Sequence, residues 1–148
     1  MCSSDLTKLY VPPANQSLFL TPNTFNLMKP MEFIMDKYVA LYATYHLKGL
    51  IFNRIPLWNR LNLREVVSFS GIYGRLSPKN IPGPTTTGLY LFPDGCGTMD
   101  KMPYMELTAG IENILGIIRI DYVRRLSYAK GLKGWDKNGI RFTLNVSF

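Results

Sequence analysis

A chain of 148 residues is the size of one domain, and an apolar fraction of 47% excludes a disordered one. No run approaches the roughly 18 uninterrupted apolar residues of a spanning helix, so a helical membrane protein is excluded as well. The net charge of +7, from 17 basic and 10 acidic residues, raises nucleic acid as a partner. The basic residues are scattered over turns, loops and polar strand faces rather than gathered into a stripe, which argues for no nucleic acid.

Residues 1–6 (Met1-Cys2-Ser3-Ser4-Asp5-Leu6) look foreign, as one reading frame of a sequencing-adapter tail would encode them. They are expected to be an assembly scar and are set aside from the fold. A lipidated Cys2 lacks the apolar run that should precede it. Residues 7–30 carry Pro12, Pro13, Pro22 and Pro30 with Asn15 and Asn23, and read as a loop-rich lead-in. Short extended pieces are expected at Leu18–Leu20 and Phe25–Met28. Residues 31–148 are expected to be strands of a C-terminal barrel.

The first long strand is predicted over Met31–Leu50. Val39, Leu41, Ala43, Tyr45 and Leu47 fall on one face, with Tyr38, Tyr42, Thr44, His46 and Lys48 on the other. A helix over 32–46 competes, but the β-branched and aromatic content and the period of two favour the strand. Phe52 to Arg60 reads as a turn in which Phe52 and Trp58 sit at headgroup depth while Arg54 and Arg60 reach phosphates. A strand over Leu63–Tyr73 sets Glu65, Val67, Phe69 and Tyr73 against Arg64, Val66, Ser68, Ser70 and Ile72, without showing which face meets the core. Residues 75–102, rich in Gly and Pro, form a long loop of a kind uncommon in compact soluble domains.

Pro103–Ile111 is the clearest internal strand, with Met105, Leu107, Ala109 and Ile111 outward and Tyr104, Glu106, Thr108 and Gly110 inward. A tight turn is predicted at 113–116. The chain returns over Ile117–Tyr128, with Ile118, Ile120, Tyr122 and Leu126 opposite Arg119, Asp121, Val123 and Arg125. A polar loop over 129–138 leads to the last strand. There Ile140, Phe142, Leu144, Val146 and Phe148 alternate without a break with Arg141, Thr143, Asn145 and Ser147.

An outer-membrane strand requires this layout: about ten residues, apolar toward lipid, polar toward the lumen, aromatic at the interface. The terminal Phe148 with apolar residues at every second position also resembles the signal that the bacterial barrel-assembly machinery reads. Loop lengths agree. If the chain ends on the periplasmic side, the connections 129–138 and 75–102 lie outside, with ten and 28 residues, and 113–116 and 52–62 lie inside, with four and 11. The fold class expected is therefore all-β: antiparallel up-and-down strands of a transmembrane outer-membrane β-barrel. Five or six strands fall short of the roughly eight of the smallest barrels, so either further strands lie upstream, the simpler account, or several chains assemble.

Several stretches resemble the C-terminal barrel of a large outer-membrane family of Bacteroidota-type bacteria. They are Phe25-Asn26-Leu27-Met28 with Met31-Glu32-Phe33, then Asn53 to Leu57, Arg64 to Val67, Pro103 to Ile114, Arg119 to Leu126 and Asn138 to Phe142. The resemblance implies an outer-membrane location and an N-terminal carboxypeptidase-regulatory-like domain. It brings no activity and no catalytic residue.

Glu106, Glu112, Arg119, Asp121, Arg125 and Arg141 are expected to form a lumen charge cluster on three consecutive strands. Its two readings are a solute-selective constriction and an internal salt-bridge network. A hydrolase would have to rest on His46 with Ser68 or Ser70, and nothing fixes their geometry, so no enzyme is expected. The two cysteines and one His lack metal-ligand spacing, and no cofactor is expected; Cys96 reads as a free loop thiol. Lys79, Lys101, Lys130, Lys133 and Lys137 fall in outer loops where lipopolysaccharide could meet them. The expected role is a scaffold for transport or surface assembly. The alternative is a soluble antiparallel β-domain that binds an apolar ligand or a partner protein.

Overall fold

A computed structural model describes residues 9–50, 54, 62–81, 92 and 94–144. Five strands form one open sheet in chain order: β1 (Lys37–His46), β2 (Arg64–Arg75), β3 (Tyr104–Ile114), β4 (Ile118–Arg125) and β5 (Asn138–Leu144). Every neighbouring pair is antiparallel, as the alternation implied. A four-residue helix, α1 (Gly134–Lys137), sits in the loop before β5.

The strand limits differ from the predicted ones where the backbone turns. Met31 has φ 57°, and residues 33–35 bond to Gly97 and Tyr10 rather than to β2, so β1 begins only at Lys37. It stops where Lys48 (φ 51°) and Gly49 (φ 83°) reverse the chain. Between β3 and β4 the chain turns at the expected 113–116, with Gly116 N–H donating to the Asn113 carbonyl at 3.3 Å, and the turn continues one residue further. Leu115 and Gly116 both have positive φ, and Ile117 N–H donates to the Ile114 carbonyl at 3.3 Å, a type I′ arrangement. A register shift between Ile111 and Ile114, with Asn113 at φ 69°, precedes it.

The paired registers sort the side chains into two faces. One carries Val39 and Leu41 on β1, Val67 and Phe69 on β2, Met105 and Leu107 on β3, Ile120 and Tyr122 on β4, and Ile140 and Phe142 on β5. This resolves the face of β2. Most of this face is open: Val39 is 70% exposed, Leu41 59% and Leu144 59%. The other face is covered by residues 9–36. Phe25, Met28, Phe33 and Met35 pack there on Ile72 and Tyr104, with Met99 from the following loop. Tyr104 meets Phe25 edge-on at 5.5 Å between ring centres, and Phe33 lies 5.8 Å from it.

The covering segment thus reaches both ends of the strand order. Tyr10 stacks on Tyr38 of β1 at 3.8 Å and pairs with Met35. At the other end Phe19 bridges in parallel to Phe142 of β5, through Leu20 N–H to the Phe142 carbonyl and Phe142 N–H to the Leu18 carbonyl, each 2.8 Å. The expected extended pieces at 18–20 and 25–28 are single bridges, and no sixth strand is found among the described residues.

Candidate functional site

The covered face holds, beside its apolar cluster, three of the most deeply buried charges. Glu106 is 1% exposed, Asp121 0% and Arg125 3%. A charge out of water must be paired and hydrogen-bonded, or it destabilises the fold by several kcal/mol. The six residues of the expected cluster fall into two separate groups, and Arg141 alone of them keeps a buried nitrogen, Nε, without a hydrogen-bond partner among the described residues.

The first group grips the covering segment. Glu106 accepts from the backbone N–H groups of Asn26 (2.8 Å) and Leu27 (2.7 Å) and from the Tyr104 hydroxyl. Arg125 donates to both carboxylate oxygens of Glu32, to the Ser127 carbonyl at 3.0 Å and to the Leu27 carbonyl at 3.4 Å. Its guanidinium carbon lies 4.6 Å from the centre of the Tyr104 ring. Arg141 donates to the Asn26 carbonyl. Three strands therefore hold the peptide groups of residues 26–27 from both donor and acceptor sides. Glu32, Asn26 and Leu27 were missed in the sequence because their partners lie 79 to 115 residues away.

The second group lies toward the opposite ends of the same strands. Arg119 donates to both oxygens of Asp121, at 2.8 Å and 3.0 Å from Nε and 2.7 Å from Nη2. Glu112 stands 3.9 Å from Arg119 and 3.2 Å from the Nδ1 atom of His46. Asp121 lies over Gly110, its register partner: a Cβ at Gly110 would stand 2.1 Å from Asp121 Oδ1. Only glycine leaves that space.

His46, the base considered for a hydrolase, is thus bonded to Glu112, while Ser68 and Ser70 stand opposite Thr44 and Tyr42. Among the described residues no group of three or more His, Cys, Asp or Glu is placed to hold a metal ion. Cys96 is a half-buried free thiol. Ile140, Phe142 and Leu144 of the expected assembly signal are exposed on the open face; Val146 and Phe148 lie outside the described residues.

Outside the strands, the surroundings shift two groups. The Ser77 hydroxyl and backbone, with Asn80, hold the Asp36 carboxyl below its ordinary range. Burial, and then Tyr38, push the Tyr10 phenol up.

Fold and site together define an antiparallel up-and-down β protein whose charges are buried under one chain segment while its opposite face is apolar and open. Over residues 13–79 the chain matches the model described as the C-terminal domain of a family of unknown function (DUF5686). That stretch includes the resembling pieces at 25–33, 53–57 and 64–67. No curated protein and no solved structure matches the chain.

Proposed function

We propose that β1–β5 are part of the wall of an outer-membrane β-barrel, with the open face toward lipid and the covered face toward the lumen. The observation that carries this reading is the inverted burial. Leucine, valine, isoleucine and aromatic side chains of five neighbouring strands are exposed side by side, while Glu106, Asp121 and Arg125 are buried opposite them. Exposed apolar patches on soluble monomers rarely exceed a few hundred Å². Complete strands of 10, 12 and 11 residues (β1, β2, β3) suit a tilted crossing, which takes about 9–11. No helix among the described residues is long and apolar enough to cross a membrane.

In this reading the long connections 76–103 and 126–137 face outward, and exposed Lys101, Lys130 and Lys133 meet lipopolysaccharide phosphates. The barrel-assembly machinery inserts the chain through β5 and the residues after it. The role is non-enzymatic: a scaffold for transport or surface assembly, in which residues 9–36 narrow the lumen as an inward-folded segment.

The test is refolding of the full chain with and without detergent, followed by flotation with lipid vesicles. The wild type is expected to fold only with detergent or lipid and to float with vesicles. Leu107→Lys, in the middle of the lipid face, is expected to lower stability in vesicles by about 2–4 kcal/mol. A monomer that refolds in plain buffer and tolerates Leu107→Lys would instead be the soluble β-domain, with its open face for an apolar ligand or a partner protein.

A further inference from the structure

Between the covering segment and the sheet lies a cavity of about 380 Å³, roofed by residues 20–26 and reaching all five strands. Its volume is toward the lower end of small-molecule sites, roughly 300–1,000 Å³. Five hydroxyl-bearing side chains line the floor, Thr44, Ser68, Ser70, Thr108 and Thr143, together with Ala43, Phe69 and the ring of Tyr42. A hydroxyl both donates and accepts, so this floor can answer a solute hydroxyl in either sense. Thr143 Oγ1 is buried with no hydrogen-bond partner among the described residues. Leaving such a group unmet is costly.

Charge narrows the class. Arg119 reaches the cavity, but its guanidinium is already held by both oxygens of Asp121 and faces Glu112. An anion finds that cation neutralised. A cation finds the carboxylates occupied. An apolar solute would strand the hydroxyls. We infer that the cavity between residues 20–26 and the hydroxyl-lined face of β1–β5 binds a neutral polyhydroxylated solute of mono- to disaccharide size. The clamp on residues 26–27 holds the roof in place before the solute arrives, so little ordering is required on binding.

Saturation-transfer NMR on the full chain, folded in a sugar-free zwitterionic detergent, tests this. The probes are glucose, galactose, mannose and maltose, with gluconate and glucosamine as charged counterparts. At least one neutral sugar is expected to receive saturation from the protein, and neither charged analogue to match it. Thr143→Val, which keeps the shape and removes the hydroxyl, is expected to weaken binding about tenfold. Ser70→Ala, which removes a second hydroxyl and leaves the backbone pairing to Tyr42 intact, should weaken it in the same direction, with circular dichroism unchanged in both. No transfer to any neutral sugar in a folded protein, equal transfer to gluconate, or undiminished binding in both variants would overturn the assignment. Because folding and flotation are read separately, a failure here is distinguishable from a failure of the membrane reading.

Discussion

Glu106 has two carboxylate oxygens and meets three donors, two of them backbone N–H groups of a segment 79 and 80 residues earlier in the chain. Its removal leaves those donors unmet in a dry site. Glu106→Ala is expected to cost about 1–3 kcal/mol, read as a lower unfolding midpoint, and to expose residues 26–27 to amide exchange. Asp36 gives a pH dependence of known sign. Its folded-state pKa lies below the ordinary 3.8, chiefly through the Ser77 hydroxyl, so the unfolded chain takes up the proton more readily. The contribution is therefore fully present above about pH 5 and is lost as pH falls through 3.8 toward the folded value. Acid titration of unfolding should show a shallower slope below pH 3.8 in Asp36→Asn than in the wild type.

At the scale of elements, the strands were legible because a period of two needs only neighbouring residues to be seen. Glu106, Asp121 and Arg125 fell on the expected face for that reason. The covering segment was not legible. Residues 9–36 have no periodicity, and what orders them is distant: Phe142 for Phe19, Gly97 for Phe33, Glu106 for Asn26. A weak signal existed in Phe25, Met28, Phe33 and Met35, large apolar side chains in a stretch rich in Pro and Asn, which had to be buried somewhere. Two neighbouring strands also depend on one small residue. Gly110→Ala places a methyl against Asp121 and must dislodge the carboxylate that holds Arg119. The expected loss is about 1–3 kcal/mol, measured by denaturant unfolding in detergent, with faster amide exchange confined to β3 and β4.

For the whole molecule, the two sides of the sheet carry different chemistry. One side offers hydrocarbon to its surroundings and the other keeps ion pairs dry under residues 9–36. The two flanks of the sheet differ as well. Phe142 on β5 is engaged by Leu18 and Leu20, whereas Tyr10 meets the chain just before β1 at Met35. Edge groups left without partners invite unwanted pairing, and these contacts cover part of that risk.

Because four successive antiparallel pairings separate them, β1 and β5 point the same way. Parity then rules how such a sheet can close. Joining β5 directly to β1 would make a parallel seam, so a ring with only antiparallel seams must place an odd number of additional strands between them. Five plus an odd number is even, which is the arithmetic of bacterial single-chain barrels.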